Sequence, residues 1–581
     1  MSNVDVDSVP DLSASTDDGV GRRWSRWVMP WRRRVRRPRS RFMRWVVRAR
    51  RCVVLLVVLF VGELIWDWWD PYPVHLLDRF PESQRVVAKD GTPLRVVPTK
   101  DGERRIHLTL EEMSPWIARA VIVSEDRRFY GHAGVDWLAC VRAAGTSTMR
   151  GHVVSGASTL HMQLARIAEP HSRTLLGKLW EIRRARQLAR ELDHAEVLEA
   201  YLNLVPLGGT LRGFPAASWF WFGKSARDLA PEEAATLVAM LPAPTRRAPD
   251  RAPKQLRRHR DKVIDGLRDA GHLTPQAWRR SRAAPLGARR HGWPFRASHA
   301  CDLLLRAKPG VAKIENHLDI ELQAMAEHIV RTGVDGGADG VALVVLERTS
   351  REPAALVGSR DWHESQLNAA VCRRCAGSTL KPFIYALAME AGVTGPDRLV
   401  ADTPVTLRDY APANFDRTWS GPVRTAEALR RSRNAPAVRL LRAVGVDRFR
   451  DLLTALGITV NPGSLHLDAA LGTLDVSPLE LACAYARFAD PEAKLPGASA
   501  SIRARVLALL RETTPDPATT GRPVAWKTGT SSGRRDAWCV GVTDHHVTVA
   551  WLGNLKGRGA ANLVGSETAA RLVARMAARL P

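Results

Sequence analysis

Residues 52–66 read "CVVLLVVLFVGELIW", fifteen residues with a single charge, and a basic stretch stands directly before them. Residues 1–51 hold 14 arginines against five aspartates, a net +9. As a helix the apolar run spans roughly 22 Å, against roughly 30 Å for a bilayer core. Arg48, Arg50 and Arg51 extend that reach by snorkelling at one end, and Trp66, Trp68 and Trp69 suit the opposite interface. The "DWWDPYPV" that follows offers no small-residue cleavage site. The pattern predicts one uncleaved transmembrane anchor over 46–69, with a basic cytoplasmic tail over 1–45. It puts every later residue on the outer side of an inner (cytoplasmic) membrane. Residues 1–20 are polar and acidic and are expected to be disordered.

The whole chain of 581 residues carries a net charge of +26. Such a balance suits an anionic partner, whether nucleic acid, anionic lipid or a phosphorylated substrate, and arginines on solvated faces produce it too. A nucleic-acid binder needs a basic domain with recognisable motifs. Membrane orientation already accounts for the tail, so no nucleic-acid partner is expected. The seven cysteines show no zinc-type spacing, and no metal ligand set is read from them. Cys372 and Cys375 form a Cys-x-x-Cys outside the membrane, where either a local disulfide or two unpaired thiols fit.

The texture of the chain changes once. Residues 71–270 carry apolar positions at i, i+3 and i+4, as in "EEMSPWIARAVIVSED" and "LAPEEAATLVAMLPA", and are predicted mostly helical. The stretch 271–315 is basic, with scattered Pro and Gly, and is expected to serve as a linker. From 316 to 581, strand-like runs such as "VALVVLE" and "HHVTVAWLG" alternate with helical ones such as "PLELACAYARFA", which predicts an α/β domain. No internal repeat is present.

In the helical part, "SEDRRFYGHAGVD" puts Glu125 and Asp126 at the end of an apolar helix. The Gly-Ala-Ser-Thr of "GASTLHMQLAR" opens a helix. Free N–H groups there, with Ser158, Thr159 and Gln163 beside them, suit an anion or a sugar, and an ordinary N-cap explains them equally well. "GKLWEIRRA" sets Lys178 and Glu181 at i, i+3, by default an exposed salt bridge. In the second part, "CAGSTLKPFIYALAME" places Ser378 and Lys381 on one face at the start of an apolar run. A lysine there opposes the helix macrodipole, an odd choice for stability alone. Further on come "SRN", with Ser432 and Asn434, and "KTGTSSG", with Lys527, Thr528, Gly529 and Thr530.

The first set of blocks, in this order and with "LGGTLRGFPAAS" and "WFWFGKSARDLAPEEAATLVAMLPAPTRRAPDR", resembles glycosyltransferase family 51 over roughly residues 80–250. That family is the peptidoglycan polymerase of class A penicillin-binding proteins. The second set resembles their penicillin-binding transpeptidase domain over 316–570, through Ser-x-x-Lys, Ser-x-Asn and Lys-Thr-Gly in order. The resemblance implies a multidomain chain: transmembrane helix, mostly α lysozyme-like glycosyltransferase domain, then an α/β domain like that of β-lactamases and transpeptidases. It implies a bifunctional synthase that polymerises lipid II with inversion and cross-links stem peptides by serine acyl transfer.

Residue by residue, the resemblance makes Glu125 the base that activates the attacking hydroxyl. Lys178 becomes the diphosphate-side cation and Glu181 a second carboxylate that stabilises developing charge or orients that lysine, with Ser158, Thr159 and Gln163 holding substrate. Gly177 stands where many members have a basic residue. Ser378 becomes the nucleophile, Lys381 its base, Ser432 a proton relay, and Asn434 a holder of the substrate amide. Lys527, Thr528, Gly529 and Thr530 take the terminal carboxylate, with Ser378 and Thr530 N–H groups as the oxyanion hole. No cofactor is required, and a divalent metal assisting the diphosphate is compatible with the chemistry. The implied partners are lipid II, nascent peptidoglycan, β-lactam inhibitors, the inner membrane and other cell-wall synthesis proteins. An alternative keeps the polymerase active while the serine domain acts as a carboxypeptidase or only binds β-lactams. Members of the family lead one to expect a further C-terminal domain after "NLVGSETAARLVARMAARLP".

Overall fold

The computed structural model describes residues 41–70, 78–150, 158–172, 174–334, 338–406, 413–461, 463, 465–511 and 523–581. Residues 1–20 and Gly156 and Ala157 of the Gly-Ala-Ser-Thr loop lie outside the described residues. Two compact units divide the chain, Met1–Pro71 and Tyr72–Pro581.

In the first unit, helix α1 (Arg41–Trp69) runs continuously for 29 residues and contains the apolar run. Among the described residues, no helix is long and apolar enough to cross a membrane. Fifteen apolar residues fall short of the about 20 that a full span needs.

The second unit begins with strands β1 (Arg85–Val87) and β2 (Pro93–Val96), an antiparallel pair. The polymerase-like part follows. It has a short parallel pair, β3 (Arg104–Arg105) with β4 (Leu211–Arg212), and the helices α2 (Pro115–Glu125), α3 (Trp137–Arg150), α4 (Leu160–Ala168), α5 (Leu175–Glu191) and α6 (His194–Leu204). Helices α7 (Gly213–Phe222), α8 (Pro231–Met240) and α9 (Pro253–Asp269) complete it. Their apolar faces share one core, with Ile117, Leu164, Tyr201, Phe214, Leu237 and Ile264 all at 0% exposure. Starts are set by local chemistry: Thr159 caps α4, Asp193 and Glu196 form a capping box on α6, and Pro231 and Pro253 sit where a helix tolerates proline.

The stretch expected as a linker, 271–315, is folded. It holds α10 (Pro275–Ala283), capped by Thr274, then α11 (Ser298–Ala307) and β5 (Lys313–Glu315). β5 pairs in parallel with β1, making a three-stranded sheet in the order β2-β1-β5. Val86, Leu94, Ala300 and Ile314 bury one face of that layer in the core of the following domain. Residues 85–96, expected in the helical part, therefore pack with the α/β part, because their alternating apolar positions find a sheet partner only there.

The α/β domain is built on a five-stranded antiparallel sheet, β12-β13-β14-β6-β7, from β6 (Gly340–Glu347), β7 (Pro353–Val357), β12 (Ala525–Thr530), β13 (Asp536–Val542) and β14 (His546–Gly553). Helices α12 (Ile320–Gly333) and α19 (Ala569–Ala577) cover one face, where Val330, Cys539 and Leu572 are fully buried. The other face carries α17 (Pro478–Ala489) and a helical layer around α13 (Lys381–Glu390). Every residue of α13 except its last is buried, walled by α15 (Asn434–Val444), α16 (Val446–Ala455) and α18 (Ala500–Arg511). Two short pairs frame its entrance. They are β8 (Arg374–Cys375) with β11 (Asp475–Val476), and β9 (Leu399–Asp402) with β10 (Gly421–Arg424), which leads into α14 (Thr425–Arg430).

Candidate functional site

Glu125 ends α2 on the wall of a cavity of about 620 Å³, where Ser158, Arg142, Arg247 and Lys262 also lie. Burial pushes its carboxyl above the usual carboxylate range, opposed by a hydrogen bond from Gln163 and by the charges of Arg247 and Arg166. The chain of contacts is directional. Tyr201 Oη donates to Gln163 Oε1 at 3.0 Å, and Gln163 Nε2 donates to Glu125 Oε2 at 3.1 Å. The fully buried Tyr201 thus fixes the amide that orients Glu125. Its neighbour Asp126 is committed elsewhere, accepting from the Leu160 N–H at 3.0 Å and facing His132 Nε2 at 3.1 Å.

Glu181, buried on α5, is matched by two cations, Lys178 Nζ at 2.7 Å and Arg166 Nη1 at 3.2 Å, and faces His171 Nε2 at 3.4 Å. This is no exposed i, i+3 pair. Lys178 also donates to the Ser158 hydroxyl at 2.7 Å, which carries the cluster to the cavity wall. Thr159 is used internally: its hydroxyl donates to the Gly134 carbonyl at 2.6 Å and accepts from the Met162 N–H. Of the three predicted substrate holders, Ser158 bonds Lys178, Gln163 bonds Glu125, and Thr159 caps α4 while lining the same cavity as Ser158. Gly177 has a geometric reason, since a Cβ there would sit 2.3 Å from the Ser172 carbonyl oxygen. Tyr201 and Arg166 come from separate helices, His171 and Arg247 from the segments between helices, and nothing in their local spacing marks them.

In the second domain, Ser378 lies in the 3-10 turn Gly377–Leu380 that feeds α13, and Lys381 is fully buried. Lys381 Nζ donates to the Ser432 carbonyl at 2.6 Å and to Asn434 Oδ1 at 2.7 Å. Burial holds its amine well below the ordinary lysine range, helped by the nearby charge of Lys527. Lys527 Nζ donates to the Ser432 hydroxyl at 2.9 Å and to the Thr528 carbonyl at 2.6 Å, and burial brings its pKa down to about 7. Ser432 has φ 57°, a left-handed conformation that a serine rarely adopts. Behind it the buried Arg433 is gripped by Asp402 at 3.3 Å and Asp416 at 2.9 Å.

β12 runs beside the Ser378 turn at backbone contact. A Cβ on Gly529 would stand 2.9 Å from the Ala376 carbonyl oxygen and 3.2 Å from the Ser378 nitrogen, and one on Gly377 would stand 3.0 Å from the Thr530 nitrogen. Gly472 (φ 78°) underlies the turn, and a Cβ there would reach the Gly377 oxygen at 1.7 Å. Tyr485 donates to the Thr379 carbonyl at 2.5 Å and Trp538 Nε1 to the Cys375 carbonyl at 2.8 Å, pinning both sides of Ser378. Cys372 and Cys375 are both free thiols, and burial pushes Cys375 up to about 11.

A polymerase-like cavity walled by a carboxylate and a serine turn served by two buried lysines, on one chain, define the class A penicillin-binding proteins, and this chain belongs to that family. The family models "Transglycosylase" and "Penicillin binding protein transpeptidase domain" match residues 90–268 and 341–573. The chain is 35% identical to penicillin-binding protein 1C of Escherichia coli, across 91% of this chain and 71% of that protein. It is 31% identical to penicillin-binding protein 1F of Bacillus subtilis, across 70% of this chain and 59% of that one. Its fold is similar to the crystal structure of penicillin-binding protein 1A from Haemophilus influenzae, with a TM-score of 0.51 over 86% of this chain and 92% of that one, at 17% identity. The chain is a bifunctional peptidoglycan synthase that polymerises glycan strands and cross-links their peptides.

Proposed function

We propose that Glu125 is the base for lipid II polymerisation and Ser378 the nucleophile for cross-linking, in a protein anchored to the inner membrane. The observation that carries the reading is convergence: residues far apart in sequence meet as two separate sets of matched acids, bases and cations.

In glycosyl transfer, Glu125 takes the proton of the attacking lipid II hydroxyl. Gln163 and Tyr201 hold its carboxylate in line. The leaving diphosphate needs cations more than a proton, and Lys178, reached through Ser158, supplies one beside Arg142 and Lys262. Glu181 keeps Lys178 in place. A divalent metal would need free oxygen ligands. Glu181 is already matched by cations and Glu125 by Gln163, so the donor set does not suit one and no step is routed through it.

In acyl transfer, the neutral Lys381 amine takes the Ser378 proton as Oγ attacks the D-alanyl carbonyl. N–H groups of Ser378 and Thr530 receive the developing oxyanion. Ser432 passes a proton to the leaving D-alanine. Lys527, with Thr528 and Thr530, pairs with the terminal carboxylate, and Asn434 holds the peptide amide. An amine of a neighbouring stem peptide then attacks the acyl-enzyme. β-Lactams acylate the same serine.

Membrane association is supported by apolar side chains left uncovered. On α1, Val53, Val54, Leu55, Val57 and Val58 are each more than half exposed. On α3, Trp137, Leu138 and Val141 are as well, and so are Leu176 and Leu179 of α5. Patches of this kind are rare on surfaces that face only water. Partner proteins of the cell-wall machinery belong to the same proposal. Its test pairs two assays on purified protein: Glu125→Gln loses lipid II polymerisation and keeps fluorescent-penicillin labelling, and Ser378→Ala does the reverse. Normal polymerisation by Glu125→Gln would refute the base assignment.

A further inference from the structure

The mouth of the transpeptidase cleft is crossed by a contact that acyl transfer does not use. One wall is Asn434, whose N–H donates to Asn414 Oδ1 at 2.8 Å and whose Nδ2 donates to the Ala413 carbonyl at 2.7 Å, so the 413–417 turn rides on it. The other wall is β12, which continues past Thr530 into a turn closed by the Arg534 N–H on the Ser531 carbonyl at 3.0 Å. Ser378 and Lys381 lie between these walls. From the second wall the Arg534 guanidinium lies over the Phe415 ring of the first, 5.5 Å from its centroid. Arg534 is also anchored through Nη1 on the Ala561 carbonyl.

Strain gathers here. Among the described residues, five that are not glycine have positive φ, and three of them are Arg417, Ser432 and Arg534. Such conformations persist where surrounding structure enforces them, commonly at ligand clamps. Phe415 is 62% exposed, so its ring is not in the turn to fill a core. Arg433 is neutralised between Asp402 and Asp416, whereas Arg534 reaches the mouth with an aromatic face as its partner.

We propose that Arg534, held across the cleft mouth by Phe415, is a specificity-determining residue that selects stem peptides carrying a free carboxylate beside the bond attacked by Ser378. The proposal rests on the transpeptidase reading above and names what that site prefers. An exposed cation–π contact is weaker than a bidentate guanidinium–carboxylate pair. A carboxylate therefore displaces the ring and opens the mouth, and a carboxamide does not.

The test uses the full chain in detergent and two synthetic thioester donors ending in D-alanine, identical except that the preceding residue carries a free carboxylate or its carboxamide. The expected acylation ratio favours the carboxylate about tenfold, the value of a hydrogen bond to a charged group, and shrinks in 1 M salt. Arg534→Gln brings the ratio near one, and Arg534→Lys retains part of the preference. A wild-type ratio near one, or an unchanged ratio in Arg534→Gln, overturns the role of Arg534. Penicillin labelling reports folding of each variant. Should Arg534→Gln not fold, the salt dependence decides, and a preference that survives 1 M salt overturns the proposal. A wild type that penicillin does not label overturns the transpeptidase reading instead.

Discussion

Lys381 and Lys527 hold the same serine from opposite ends: Lys381 Nζ bonds the Ser432 carbonyl at 2.6 Å, and Lys527 Nζ bonds the Ser432 hydroxyl at 2.9 Å. The two amines have different work, and their protonation separates it. Lys381 is depressed by burial and by Lys527, which makes it a base, while Lys527 stays partly charged near neutrality.

The pH dependence of penicillin acylation follows. Lys527 titrates near pH 7, and its positive form is the one that captures the drug's carboxylate. Raising the pH from 6 to 8 removes about nine-tenths of that charge, so the second-order acylation rate falls about tenfold. Lys381 adds only a rising limb as it loses its proton. A rate that keeps rising through pH 8 would show that Lys527 does not bind the carboxylate as a cation.

Polymerisation has the opposite limb. Glu125 is active as a carboxylate, and its raised pKa makes the rate fall on acidification sooner than for an ordinary glutamate. The Gln163 hydrogen bond lowers that pKa. Gln163→Leu removes it and shifts the acid limb to higher pH. A pH–rate profile of lipid II polymerisation that does not move contradicts the Tyr201–Gln163–Glu125 relay.

Glu181→Gln leaves Lys178, Arg166 and His171 around a neutral group. Breaking a fully buried ion pair on one side costs about 3–5 kcal/mol, and the loss here is smaller because the Lys178 and Arg166 side chains are 38% and 35% exposed and screened by water. Thermal unfolding of the polymerase domain is expected at lower temperature, with penicillin labelling intact, because the two domains have separate cores.

Gly472→Ala is expected to abolish penicillin labelling and spare polymerisation. The added Cβ meets the Gly377 carbonyl at a distance no side chain tolerates, and the residue already has φ 78°. A labelled Gly472→Ala protein would mean the turn under Ser378 has room to shift.

The pairs proposed as catalytic were readable because each sits in one short segment: Ser378 with Lys381, Lys178 with Glu181, and Lys527 with Thr528. Their order along the chain carried the family. What sequence did not disclose were partners brought in from elsewhere. Tyr201 reaches Glu125 through Gln163 from a different helix, and Gly472 meets Gly377 only because β8 pairs with β11. Thr159 fits a substrate holder or a cap by sequence, and in the fold it caps α4, bonds the Gly134 carbonyl and lines the Glu125 cavity. The stretch 271–315 reads as a linker because it is basic with scattered Pro and Gly, and its three-residue strand has no sequence neighbour to pair with.

That strand has a bearing on how the molecule is made. The parallel β1–β5 pairing is completed by Asn316 Nδ2 donating to the Val87 carbonyl, 229 residues away. The β2-β1-β5 sheet cannot close until the whole polymerase domain has emerged, and closing so long a loop is slow. The polymerase domain therefore has time to fold alone, before β1 and β5 pair. The late strand then draws its two ends together and seats them on the core of the cross-linking domain. On a nascent chain, the polymerising half is complete before the cross-linking half has a foundation.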